Sequence, residues 1–131
     1  MRFLILAASL GLLAGCGGGP PMAKVKGRVV DGGKPIELPT GTQAAVTFTP
    51  VKDGAPDNNA SRSAVMETDG TFELHESGGQ VMAGKFHVSL LVTGKAAEKY
   101  RTFASPASSP LRAELKAGAN DIVIDLSKPN G

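Results

Sequence analysis

Phe86, Val88, Leu90 and Val92 fall on one side of the segment from Lys85 to Thr93, and Lys85, His87, Ser89, Leu91 and Thr93 fall on the other. A period of two puts alternate side chains on opposite faces of an extended chain, so this segment hides its apolar residues only as a strand with one face on a core. The pattern recurs at Val25, Gly27 and Val29, set among Lys24, Lys26 and Arg28, and again at Val46 and Phe48 within Ala45 to Pro50. It returns near Arg62 to Thr68, in Thr71 to Glu76 with Phe72 and Leu74 facing in, in Leu111 to Lys116, and in Asp121 to Ser127 with Ile122, Ile124 and Leu126 facing in. Turn-forming residues stand between these runs. Asp31-Gly32-Gly33-Lys34-Pro35 is a dense turn signal, and Thr68-Asp69-Gly70 between two alternating runs predicts a hairpin. Val51 to Ser61 reads as loop and Gly94 to Pro110 as a long connection. Seventeen glycines and nine prolines, with no tryptophan and one tyrosine, leave few places for a long helix. Seven short strands at this spacing predict an all-β fold, a seven-stranded antiparallel two-sheet sandwich.

The N-terminal segment obeys different rules. Met1-Arg2 is a short basic start, and Phe3 to Leu13 is an apolar run too short to span a bilayer, which is the anatomy of a signal peptide. The run ends in Leu13-Ala14-Gly15-Cys16. These residues resemble the lipobox of bacterial lipoproteins: an aliphatic residue, two small ones, and the cysteine that is lipidated. Cys16 is also the one cysteine in the chain, so it has no internal disulfide partner. The resemblance implies cleavage before Cys16 and a triacylated cysteine. Several acyl chains make a durable attachment where a single one is marginal. The expected organisation is therefore a signal peptide over 1–15, a flexible tether over 16–23, rich in glycine and proline, and one domain over 24–128. Removing the signal peptide takes away only Arg2 among the charged residues, which lowers the formal charge of +2 by one. Acidic and basic residues are interspersed, so there is no electrostatic footprint for nucleic acid.

Particular residues carry a second resemblance. Lys26-Gly27-Arg28-Val29-Val30-Asp31-Gly32-Gly33-Lys34-Pro35, Val46-Thr47-Phe48-Thr49-Pro50, Thr68-Asp69-Gly70-Thr71-Phe72 and Ala83-Gly84-Lys85-Phe86-His87-Val88 follow in that order. Lys99-Tyr100, Ser109-Pro110-Leu111, Gly118-Ala119-Asn120 and the run Ile122 to Leu126 close the series. The series resembles the transthyretin-like, carboxypeptidase-regulatory-type β-sandwich domains, and in particular the planctomycete-type lipoproteins that carry one such domain behind a lipobox. The resemblance implies the sandwich fold and says little about function, because sandwiches host many unrelated functions.

Catalytic signatures are missing from the sequence. A transthyretin-related hydrolase of hydroxyisourate ends in Tyr-Arg-Gly-Ser, whereas this chain ends Ser127-Lys128-Pro129-Asn130-Gly131 and continues Tyr100-Arg101 with Thr102-Phe103. His75 and His87 are expected on the polar faces of their strands, as solvated or cross-strand surface histidines. There is no Gly-x-Ser-x-Gly elbow, Walker loop or dinucleotide fingerprint. Asp53, Asp57, Asn58 and Asn59 put four oxygen-bearing side chains in one short loop, a donor set that calcium accepts. Their spacing matches no EF-hand, and turn propensity alone produces such loops, so these four are a calcium candidate while no metal site or cofactor is expected. Lys26 and Asn120 occupy strand positions where related collagen-adhesin repeats form an isopeptide bond, but Lys26 is expected to point to water. Tyr100 and Phe103, in the connection from Gly94 to Pro110, would either pack over an open end of the sandwich or present a ring to a ligand. The resulting expectation is a lipid-anchored, non-catalytic module of the cell envelope with a structural or protein-interaction role. The alternative is a carbohydrate- or peptide-binding lipoprotein using the 94–110 loop, with a hydrolase third. Expected partners are the membrane through lipidated Cys16 and an envelope protein or glycan. Gly17 after the cysteine, where an aspartate would retain the protein, is permissive for the outer membrane by analogy.

Overall fold

The computed structural model describes residues 21–74 and 80–128. Cys16, the expected signal peptide over 1–15 and His75 lie outside the described residues. Ten strands are present among those described: β1 (Met22–Asp31), β2 (Lys34–Pro35), β3 (Ala44–Lys52), β4 (Ala55–Pro56), β5 (Arg62–Met66), β6 (Thr71–Glu73), β7 (Gln80–Met82), β8 (Gly84–Val92), β9 (Arg112–Leu115) and β10 (Gly118–Asp125). A 3-10 turn at Asn58–Ala60 and a 3-10 helix at Gly94–Phe103 complete the elements.

The all-β class stands. Seven strands were expected, and the three additional ones, β2, β4 and β7, are only two or three residues long, too short to display a period. The path through the sheet runs β10-β1-β6-β5-β3-β8-β9, with β2 and β7 on β1 and β4 on β3. The sheet curls, because β5 and β6 are joined by a single pair, Met66 opposite Phe72, while their other neighbours are paired over several residues. Not every ladder is antiparallel: β1 and β10 run parallel from Ala23 opposite Gly118 to Val30 opposite Asp125. The chain's last strand therefore returns beside its first in the same direction, which no tight turn could arrange and which here requires the whole domain as the connection. β1 also begins two residues before the expected domain boundary. Met22 and Ala23 pair with Met82 and Val81 of β7, and Ala23 is fully buried, so the folded unit already includes Met22.

The core follows the alternation. Val46, Phe48, Val88 and Leu90 are fully buried, with Phe48 opposite Val88 and Val46 opposite Leu90 in the β3–β8 ladder. Phe48 also packs edge-on against Phe86 at 6.1 Å and tilted against Phe72 of β6 at 5.9 Å, which packs β6 against β3 across the curl of the sheet. Gly27 lies opposite both Phe72 and Ile122, and a side chain there would run into the Ile122 carbonyl and the Phe72 ring. Its apolar-face position in β1 thus serves close approach rather than burial.

Candidate functional site

The 94–110 connection is built onto β8. Thr93 closes that strand by donating from its N–H to the Gln43 carbonyl at 2.8 Å, and the 3-10 helix that follows carries Tyr100 into the core, where it is 6% exposed. Ala96 and Phe103 pack against the same core from half-buried positions. Lys99 lays its ammonium over the Tyr100 ring at 5.3 Å. Ser109 fastens the far end: its hydroxyl donates to the Val88 carbonyl at 2.6 Å and accepts from the Leu111 N–H at 3.2 Å, both in buried surroundings. Between these anchors, Ser105 and Ser108 bond each other at 2.8 Å, and the Ser108 hydroxyl also reaches the Thr102 carbonyl.

His87 departs from its expected solvated position. It is half-buried, and its Nδ1 lies 3.1 Å from the Pro106 carbonyl. A carbonyl only accepts, so the bond requires the proton on Nδ1. Ser89, next on the same face, is buried outright, because the connection folds back over the polar side of β8. The two rings singled out in the sequence therefore turn inward, and the histidine holds the loop down.

The asparagine- and aspartate-rich stretch is more regular than a loop. Asp53 and Gly54 both take positive φ, 53° and 79°, as the central residues of a two-residue turn that pairs Lys52 with Ala55 and Val51 with Pro56. Asp57 caps the next 3-10 turn by accepting from the Asn59 N–H at 3.2 Å, and Asn58 and Asn59 lie within it. The Asp-Gly pair was a legible hairpin signal, and the surrounding turn-rich composition masked it. Of the four candidate calcium ligands, Asp53 shapes a turn and Asp57 caps one, and among the described residues no three histidine, cysteine, aspartate or glutamate side chains cluster.

Two other aspartates are bound more tightly than the sequence suggests. Asp69 accepts from the Thr71 hydroxyl at 2.7 Å and the Thr71 N–H at 3.0 Å, bonds that hold its carboxyl below the ordinary carboxylate range. Asp125 accepts from the Ser127 hydroxyl at 2.7 Å, the Ser127 N–H at 2.9 Å and the Gly32 N–H at 3.1 Å, and is lowered for the same reason, the Ser127 hydroxyl first. Its bond to Gly32 pins the β1–β2 hairpin to the end of β10.

Where β5 diverges from β6, an open cleft of about 670 Å³ is lined by Lys26, Arg28, Glu67, Glu73 and Asp121 with Phe72 beside them. Its charges are mixed. The sequence alternation sets Lys26, Arg28 and Glu73 opposite the apolar faces of their strands, and the cleft opens where β5 and β6 share a single pair. Asn120, the other half of the isopeptide consideration, spends its amide on the carbonyls of Lys24, Lys116 and Gly118, while Lys26 is exposed.

Comparison with protein families, curated proteins and solved structures finds no match. Among the described residues, no helix is long and apolar enough to cross a membrane.

Proposed function

We propose that this chain is a lipid-anchored, non-catalytic module of the cell envelope whose body is a transthyretin-like, carboxypeptidase-regulatory-like β-sandwich with a structural or protein-interaction role. The observation that carries the reading is Leu13-Ala14-Gly15-Cys16 placed six residues ahead of the first strand of an all-β unit. The curl at Met66–Phe72 supports the sandwich, since it lets β10-β1-β6 fold over β5-β3-β8-β9 with Phe48 and Phe72 in contact between them. A non-catalytic role is supported by how the polar groups are used: His87 and Ser109 hold the loop, and among the described residues no buried side-chain nitrogen or oxygen lacks a hydrogen-bond partner. The binding alternative for the 94–110 loop has less support, because Tyr100 is buried and Phe103 packs on the core.

The test is a pull-down from envelope extracts with the lipidated full-length chain beside Cys16→Ser. Membrane partitioning lost in Cys16→Ser, with a protein partner retained by the wild type, is the expected result. Equal membrane partitioning of both forms overturns the anchor. Retention of a glycan or peptide that Phe103→Ala abolishes in a folded domain would favour the loop-binding alternative instead.

A further inference from the structure

The end of the molecule at which the chain enters β1 is apolar in the middle and basic around it. Met22 stands directly opposite Met82 in the β1–β7 pair, and the two are 38% and 59% exposed. Val51, on the β3–β4 hairpin, is 36% exposed at the same end, where the close of β3 meets the start of β8. These three side chains line a hollow of about 590 Å³ together with Lys52, Arg62 and Lys85, and no acidic side chain lines it among the described residues. Glu114 is paired opposite Lys85 on β9, and Asp53 follows Lys52 at the tip of the β3–β4 hairpin.

Position along the chain gives this face its meaning. Met22 follows Cys16 by six residues, which at full extension reach about 20 Å. Attraction between lysines and anionic headgroups fades over about 8 Å at physiological salt, so it acts only on a surface kept close to the bilayer. A short tether does that, and it turns a weak contact into an intramolecular one. Methionine suits such a contact, since its flexible thioether adapts to an irregular apolar layer.

We propose that this face is a membrane seat: Met22, Val51 and Met82 rest in the headgroup layer of the bilayer that holds the acyl chains of Cys16, and Lys52 and Lys85 meet anionic lipid phosphates. The seat rests on the lipid-anchor reading. It gives the domain a fixed orientation, with the far end, where exposed Leu91 stands near the end of β8, directed away from the membrane.

The experiment uses the full lipidated chain carrying Met82→Cys or Leu91→Cys. With Cys16 acylated, the introduced cysteine is the only thiol to label with a fluorophore. The protein is reconstituted in phosphatidylethanolamine–phosphatidylglycerol vesicles containing a headgroup nitroxide lipid. Quenching is expected to be severalfold stronger at position 82 than at 91, and to fall when Lys52→Glu and Lys85→Glu are added or salt is raised. Equal quenching at both positions, or none at either, in protein that floats with the vesicles overturns the seat and leaves the anchor intact. Disulfide cross-linking of Met82→Cys between chains in place of quenching also overturns it, in favour of a second copy on this face. Protein that does not float, with Cys16 unmodified by mass, overturns the anchor on which the seat depends.

Discussion

Gly70 shows how a single residue can be required twice. It has φ +89° at the end of the β5–β6 turn, and a Cβ there would lie 2.8 Å from the Val29 carbonyl and 3.2 Å from that of Ile36. The Gly70 carbonyl in turn accepts from the Val29 N–H at 2.8 Å. Gly70→Ala should therefore cost about 2 kcal/mol or more, seen as a lower urea midpoint, because neither the dihedral nor the contact can relax without disturbing β1. Acid sensitivity also belongs to single residues. Asp69 and Asp125 have native pKa values below the ordinary 3.8, so the stabilisation they contribute is complete above that value and is lost as pH falls through the lower native values. Melting temperature should fall on acidification below about pH 4, and the fall should be shallower in Asp69→Asn and Asp125→Asn. Steeper acid loss in these variants would contradict the assignment.

At the scale of elements, the 94–110 connection behaves as part of the fold. Ser109→Ala leaves the buried Val88 carbonyl and Leu111 N–H each short of a partner and should cost about 2 kcal/mol in urea denaturation. His87→Ala removes the bond to Pro106 and should speed hydrogen exchange around residues 104–110 more than in β3 or β8. The same scale accounts for what sequence reasoning reached and what it missed. Long strands such as β8 and β3 were legible because nine residues display a period clearly. β7 was not, since three residues display none and their pairing with Met22–Lys24 is set by a distant partner. The hairpin at Asp53-Gly54 was readable from its dipeptide but was merged with the turn-rich stretch after it. Because Asp53 shapes a turn and Asp57 caps one, melting of the domain should be unchanged by a chelator; a lowered melting temperature in its presence would return the loop to metal binding.

For the whole molecule, the parallel pairing of β1 with β10 is the organising fact. It brings Ala23 against Gly118 and Val30 against Asp125, with the rest of the domain in between. Such non-local closure delays folding, so refolding is expected in milliseconds to seconds rather than microseconds. Truncation after Ala117 removes β10 and uncovers one edge of β1, and it should abolish the cooperative melting transition. A truncated chain that still melts cooperatively would show that β10 is dispensable.

By itself the sequence determined which residues face inward, where Asp-Gly and Gly-Gly turns fall, and that the chain is all-β, because period and turn chemistry act over a few residues. It also carried Leu13-Ala14-Gly15-Cys16, a local string whose resemblance to a lipobox needs no fold to be read. The parallel last strand, the curl at Met66–Phe72, the half-burial of His87 and the burial of Ser89 beneath the long connection, and the gathering of Met22, Val51 and Met82 at one end were decided only in three dimensions. Each depends on which distant segment comes to lie beside another, and that choice is made by the packing of the whole core.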